Sequence, residues 1–138
     1  MELVINTDGG ARGNPGPAAV GIVYQAGEWM STYSQVLGTA TNNVAEYMAV
    51  KVALEEWPRL PESKSLEIER VQFYLDSQLV VMQIMGKYKV KEPNLQKLHR
   101  DIKELLSGLK IPYAFSHVPR AQNAMADALV NQALDAAA

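Results

Sequence analysis

Hydrophobic and polar residues alternate over three segments in the first part of the chain, which predicts three β-strands. These segments are residues 2–8, 18–25 and 31–37, and alternation with a period of two is typical of a half-buried strand. Short turns separate them: the run GGARGNPGP at 9–17 must bend sharply, and Gly27 lies near the second turn. Short connections between successive strands predict an antiparallel meander.

The remaining pattern predicts helices alternating with two further strands. Apolar residues at spacings of three and four predict a helix over 43–57, which Pro58 and Pro61 end, and a second strongly striped helix over 94–107. The other predicted elements are a strand at 66–75, a short helix at 77–85, a strand at 111–118 and a last helix at 122–135. The order βββαβααβα predicts an α/β fold with a mixed sheet.

Length and composition fit one globular domain spanning residues 1–138. The chain has no cysteine, which excludes disulfides and thiolate metal sites. No apolar run approaches the ~18 residues of a membrane span, and the start MELVINTDGG has a strand pattern, without the basic region and cleavage site of a signal peptide. We therefore expect a cytoplasmic monomer that does not bind a membrane.

Positive charge is concentrated in one window although the whole chain has a net charge of −2. Residues 87–103 contain six of the 13 basic residues and only two acidic ones, a net charge of +4. Such a window is either a solvated helix face or a local nucleic-acid contact. Its basic residues are Lys87, Lys89, Lys91, Lys97, Arg100 and Lys103.

Four carboxylates stand out, and each has an ordinary structural explanation when taken alone. Asp8 precedes two glycines, as turn-forming aspartates do. Glu46 follows Asn43 by three positions, which is the spacing of a capping box. Asp76 could be a helix N-cap, and Asp127 could interact with the dipole at the start of the last helix.

Their common placement indicates chemistry instead. Asp8 and Asp76 both lie at carboxyl ends of predicted strands, where α/β sheets collect ligands. If these strands are parallel neighbours, the two acids lie side by side, and Glu46 and Asp127 can approach from helix starts. Carboxylates this close need compensating positive charge, and magnesium or manganese suits an oxygen ligand set. A zinc site is disfavoured, because the chain has no cysteine and only two histidines.

Several sequence blocks resemble the type 1 ribonuclease H family in order and separation. They are TDGGARGNPGPAAVG at 7–21, TNNVAEYMAV at 41–50, YLDSQLVV at 74–81 and NAMADALVNQAL at 123–134, and MGKYKVKEPNL at 85–95 is similar to a compact branch without a basic protrusion. The resemblance implies a five-stranded mixed sheet flanked by helices. It also implies an endonuclease that hydrolyses the RNA strand of RNA–DNA hybrids, leaving 3′-hydroxyl and 5′-phosphate ends.

The resemblance assigns roles to residues of this chain. Asp8, Glu46, Asp76 and Asp127 match the acids that hold two Mg²⁺ or Mn²⁺ ions, with Asp8 bridging both. Double-stranded RNA is a second candidate partner beside the hybrid. Asn14, Asn42, Asn43 and Gln78 match contacts to the hybrid, and Thr41 matches a contact to a DNA phosphate. Residue chemistry adds two further expectations. Gly9 allows the backbone to approach the nucleic acid closely, and backbone phosphates are expected to contact Lys87, Lys89 and Lys91.

Two departures from the family pattern stand out. The loop before the last helix is shortened to VPRAQN at 118–123 and lacks the mobile histidine of better-known members. His117 lies earlier, within the predicted strand, so Arg120 is the candidate to assist departure of the leaving group or release of product. Thr39 stands where many members have a basic residue near the DNA phosphate.

Two other functions remain open from the sequence. One is a different nuclease on the same fold, such as a 3′–5′ exonuclease or a transposase-like enzyme, which the short chain and the GNPGP loop disfavour. The other is a non-catalytic module that binds hybrid or double-stranded RNA, which the presence of all four acids disfavours.

Overall fold

A computed structural model describes all 138 residues and contains one five-stranded mixed sheet. The strands lie in the order β3-β2-β1-β4-β5; β1 pairs antiparallel with β2, β2 pairs antiparallel with β3, and β4 pairs parallel with both β1 and β5. This confirms the predicted sheet, with three antiparallel strands followed by parallel ones. The strands are β1 (Glu2–Ala11), β2 (Gly16–Ala26), β3 (Trp29–Ala40), β4 (Arg70–Leu75) and β5 (Tyr113–His117).

Five α-helices and two 3₁₀ turns complete the fold. The 3₁₀ turns cover Trp57–Arg59 and Arg120–Asn123. Thr41 caps the first helix, since its hydroxyl accepts a hydrogen bond from the backbone N–H of Val44. The helices are α1 (Asn42–Glu56), α2 (Glu62–Ser65), α3 (Gln78–Ile84), α4 (Pro93–Ser107) and α5 (Ala124–Ala137).

Alternate residues of β2 face two different helices, because side chains alternate across a strand. Ile22 and Tyr24 belong to the main core with α1 and α4, and the Tyr24 hydroxyl donates a hydrogen bond of 2.6 Å to the Ala53 carbonyl of α1. Ala19, on the opposite face, packs on Val130 and Leu134 of α5. The two helices that carry Glu46 and Asp127 therefore cover opposite faces of the sheet.

The bounds differ from the sequence prediction in several places. β1 continues three residues beyond Asp8, because Gly9, Gly10 and Ala11 pair with β2. The fourth strand begins at Arg70 rather than at 66, since only Arg70–Leu75 has partners in β1. The short helix α2 was not predicted, and α5 begins at Ala124 rather than at 122, after a 3₁₀ turn.

None of the helices combines the length and the apolar content that crossing a lipid bilayer requires.

Candidate active site

Asp8 and Asp76 lie next to each other where the parallel pairing of β1 and β4 ends. The last parallel pair is Thr7 with Leu75, and each acid is the following residue of its strand segment. The prediction that these acids are neighbours is confirmed, but its premise was partly wrong. Asp8 is inside β1 and pairs with Gly21 of β2, so the site lies where the parallel half of the sheet stops and the antiparallel half continues.

Glu46 reaches this edge from the first turns of α1. A Cβ atom added to Gly9 would overlap the Ala45 carbonyl and the Glu46 backbone nitrogen, so the absence of a side chain at Gly9 lets the helix backbone touch the strand. The capping-box explanation of Glu46 is wrong, because Thr41 rather than Asn43 caps the helix. The N-cap explanation of Asp76 is wrong as well, since the Ser77 hydroxyl accepts from the backbone N–H of Val80.

One oxygen each from Asp8, Glu46 and Asp76 lie within 4.8 Å of one another. Asp127, in the first turn of α5, faces the same open cleft of about 430 Å³. Gly21 permits the approach of α5, because a Cβ atom there would overlap the Ala126 carbonyl. The chain thus brings all four predicted acids to one cleft.

Burial and mutual repulsion disfavour the ionised forms of the two inner acids. Asp8 is only 6% exposed, and its burial, reinforced by the negative charges of Asp76 and Asp127, raises its pKa from 3.8 to about 7. Burial and the charges of Asp8 and Asp76 likewise raise the pKa of Glu46 well above its ordinary value, and a backbone hydrogen bond from Gly9 offsets this in part. The cluster needs protons or a cation.

The donor set fits a hard divalent cation. Oε2 of Glu46 is buried and has no hydrogen-bond donor, which is costly for a carboxylate unless a proton or a cation meets it. Three carboxylate oxygens converge there without a sulfur or an imidazole ligand, and this is the ligand chemistry of magnesium and manganese.

The raised pKa values predict how stability depends on pH without metal. Between about pH 4 and 7, folded Asp8 keeps a proton that the unfolded chain has released, so the free energy of unfolding should fall as pH rises through this range. The loss should be roughly a few kcal/mol. Thermal unfolding in EDTA at pH 5 and pH 8 should show this loss in the wild type and a smaller one in Asp8→Asn. Identical pH dependence of the two proteins would contradict the assignment.

Asn123 is a buried polar residue that the sequence reasoning did not assign. Its side-chain amide donates to the Thr7 carbonyl at 2.9 Å and to Oδ2 of Asp76 at 3.4 Å, and its Oδ1 accepts from Asn6. It therefore connects the start of α5 to both acid-bearing strands. The signal available in the sequence was its place directly before the helix that carries Asp127.

Arg120 lies beside the acids. Its Nη2 is 3.4 Å from Oδ1 of Asp127, and its side chain is 80% exposed. The guanidinium lines the acid cleft, whereas His117 does not. His117 is the last residue of β5, exposed and paired in register with Leu75.

Hydrogen bonds join several predicted substrate residues into one surface. The backbone N–H of Asn42 donates to Oδ1 of Asn14, and Oδ1 of Asn42 accepts from the backbone N–H of Ala11, each at 3.0 Å. These bonds fasten the loop between β1 and β2 to the start of α1, next to Thr41. Gly9 and Asn42 also line the acid cleft.

Other predicted substrate residues lie outside the cleft lining. Asn43 is exposed at the start of α1, and Gln78 is exposed as the first residue of α3. Lys87 and Lys89 line a separate groove with His99 of α4. Lys91 is exposed and lines neither depression. The basic segment is thus a surface apart from the acids.

Comparison with known proteins gives consistent results over most of the chain. Residues 6–133 match the family model described as "Reverse transcriptase-like". The "Bifunctional protein Rv2228c" of Mycobacterium tuberculosis is 42% identical over 146 residues; the match covers 100% of this chain but only 37% of that relative. The chain therefore spans little more than a third of the first curated relatives that it matches.

Solved structures match this chain over nearly their whole length. The crystal structure of RNase H1 from the halophilic archaeon Halobacterium salinarum has 38% identity and a TM-score of 0.86, with 99% of each chain covered. LC11-RNase H1, solved in complex with RNA/DNA hybrid, has 42% identity and a TM-score of 0.89, with 98% of each chain covered.

Proposed function

The chain belongs to the type 1 ribonuclease H family, and we propose that it is an endonuclease that hydrolyses the RNA strand of RNA–DNA hybrids. The products would carry 3′-hydroxyl and 5′-phosphate ends. We further propose that residues 1–138 act as one catalytic domain. We also propose that the protein acts as a monomer.

The convergence of four carboxylates in one open cleft is the observation that carries this proposal. Asp8, Glu46, Asp76 and Asp127 would hold two Mg²⁺ or Mn²⁺ ions. Such ions supply Lewis-acid activation of water and stabilise the charge of the departing oxygen. The protein contributes the fixed positions of the acids, which β1, β4 and two opposing helices hold at a single edge of the sheet.

The amides beside the cleft would select the substrate. Asn42 and Asn43 can donate and accept hydrogen bonds, so they can read the minor-groove edge and the 2′-hydroxyl that separates RNA from DNA. The side chain of Asn14 fixes Asn42 by accepting a hydrogen bond from its backbone N–H. Gly9 has no side chain and would let the nucleic acid approach the strand. We expect Gln78 and Thr41 to make further contacts with the hybrid.

A panel of duplexes with one sequence tests the substrate choice. We expect cleavage of the hybrid in Mg²⁺ and none of an all-DNA duplex, because the DNA duplex has no 2′-hydroxyls. The double-stranded RNA member of the panel decides whether that second partner is also a substrate. Equal cleavage of the DNA duplex would contradict selection through the 2′-hydroxyl.

Arg120 is proposed to assist departure of the leaving group or release of product. Arg120→Ala should lower turnover by roughly tenfold, or about 1.4 kcal/mol of barrier, and leave metal affinity nearly unchanged, since the four acids remain. Arg120→Lys is the matched control for charge. Single-turnover and steady-state rates measured side by side would assign the loss to chemistry or to release. Wild-type kinetics in Arg120→Ala would remove the residue from the mechanism.

The basic segment at 87–91 is proposed to contact backbone phosphates. Replacing Lys87, Lys89 and Lys91 by glutamine should flatten the plot of log affinity against log salt by ~0.7–0.9 for each lost contact. Lys64→Gln, an exposed change on α2, is the control. An unchanged slope would mean that this segment is a solvated surface that does not contact phosphates.

A further inference from the structure

Arg12 is the second cation of the acid cleft. Thirteen residues line the cleft, and the only basic ones among them are Arg12 and Arg120. Arg120 contacts Asp127 in the first turn of α5, whereas Arg12 contacts Asn131 and Asp135 one and two turns further along the same helix. The two guanidinium groups therefore mark different ends of the wall that α5 forms.

The guanidinium of Arg12 is anchored through one of its nitrogens only. Its Nη2 donates to Oδ1 of Asp135 at 2.6 Å and lies 3.4 Å from both the carbonyl and Oδ1 of Asn131. The N–H groups on Nε and Nη1 have no protein partner, and the side chain is 43% exposed. A guanidinium held through one nitrogen keeps the N–H donors on Nε and Nη1, and these can donate to phosphate oxygens while the positive charge persists at any physiological pH.

The backbone around Arg12 is also fixed. Its N–H donates to the Pro17 carbonyl at 2.8 Å, which closes the loop between β1 and β2. The neighbouring Ala11 and Asn14 bond Asn42 at the start of α1. Arg12 therefore belongs to the same rigid surface as the amides proposed to read the minor groove.

A positive charge at this position would reduce the repulsion between the acids and a nucleic acid. Four carboxylates would repel the backbone of a nucleic acid at the place where it must approach most closely. The lysines of 87–91 line no part of this cleft, so they do not offset the repulsion locally. Arg12 lines the cleft wall, and although Asp135 balances part of its charge, its unpaired Nε and Nη1 donors can offset the repulsion there.

We propose that Arg12 binds a backbone phosphate of the nucleic acid near the scissile position, with Asp135 and Asn131 holding the guanidinium in the required orientation. The proposal rests on the hybrid binding proposed above. It differs from a purely structural role, in which Arg12 would only fasten the loop to α5 through Asp135.

Three variants separate these two roles when hybrid binding is measured in EDTA as a function of salt. Arg12→Ala should weaken binding about tenfold and reduce the salt slope by ~0.7–0.9. Arg12→Lys should restore the slope but only part of the affinity. Asp135→Ala removes the anchoring carboxylate and keeps the cation, so its slope should equal that of the wild type. Equal losses in Arg12→Ala and Asp135→Ala, with no change of slope, would overturn the proposal in favour of the structural role.

The contacted strand can be identified with hybrids that carry one uncharged methylphosphonate at successive positions of either the RNA or the DNA strand. The affinity of the wild-type protein should fall when the methylphosphonate occupies one particular position. The same methylphosphonate should not change the affinity of Arg12→Ala. Failure to find such a position in either strand would overturn the proposal. Binding and Mg²⁺-dependent cleavage of the unmodified hybrid by the wild-type protein are measured in parallel. Absence of either would count against the proposed function and not against the role of Arg12.

Discussion

Asp8→Asn is expected to abolish cleavage of the RNA–DNA hybrid while leaving hybrid binding intact. Asp8 contributes one of the three carboxylate oxygens that converge within 4.8 Å, and its charge would help to hold the ions. The amide keeps the shape of the side chain but removes that charge. Turnover should fall by roughly a thousandfold or more, since metal stabilisation of the transition state is worth several kcal/mol and each 1.36 kcal/mol is tenfold in rate.

Binding and stability measurements distinguish this loss from unfolding. The variant should bind hybrid at least as tightly as the wild type in EDTA, because one repulsive charge is gone, and its metal-free form should melt higher at pH 8. Asp101→Asn is the control, since Asp101 pairs with Lys51 of α1 and does not line the acid cleft. Near wild-type turnover in Asp8→Asn would exclude a central metal-binding role.

Gly9→Ala is expected to cost both stability and activity. The new Cβ atom would collide with the Ala45 carbonyl and the Glu46 backbone nitrogen, and backbone atoms on a packed helix cannot move aside cheaply. Overpacking of this kind costs roughly 1–3 kcal/mol and occasionally more. The same displacement moves Glu46 away from Asp8, so hybrid cleavage should fall further than the loss of folded protein explains.

Gly10→Ala is the matched control, one residue along the same strand. Its Cβ atom would lie 3.5 Å from Cγ1 of Val130, an ordinary contact. The free energy of unfolding should change by no more than about 1 kcal/mol. Denaturant unfolding of both variants, with cleavage measured at a concentration of denaturant where both are folded, tests the difference. Equal stability of the two variants would mean that α1 can shift without cost.

The sheet and the neighbouring acids could be predicted because their signals are local. Alternation identifies the strands, and Asp8 and Asp76 each come directly after the last residue that pairs in parallel between β1 and β4. The exact ends could not be predicted. β1 extends to Ala11 because β2 supplies partners there, and the fourth strand starts only at Arg70, where β1 begins. Strand ends depend on a partner that is distant in sequence.

Helix caps were the second source of error. Thr41 and Ser77 cap α1 and α3, whereas the sequence offered Asn43 and Asp76 as equally good chemical candidates one or two positions away. Side chains of all four types accept the same backbone hydrogen bond, so only the backbone path decides between them. The correction matters for function, because it leaves Asp76 free of a capping role.

Asn123 and Arg12 illustrate what sequence alone does not reveal. Asn123 bonds Thr7 and Asp76, which are more than 40 positions away, and Arg12 bonds Asp135 across 123 positions. Neither residue belongs to a local pattern that requires its polar group. Their roles follow only from the fold that brings β1, β4 and α5 together.

The most direct test of the central claim uses a uniformly labelled RNA–DNA hybrid whose ends are blocked against exonucleases. Incubation with the wild-type protein in Mg²⁺ and in Mn²⁺ should produce internal RNA fragments with 3′-hydroxyl and 5′-phosphate ends. No such fragments should form with the wild-type protein in EDTA or with the Asp8→Asn variant in either metal. Binding of the hybrid without any internal cut in either metal would contradict an endonuclease and favour a binding module, while cutting only after the ends are unblocked would indicate an exonuclease.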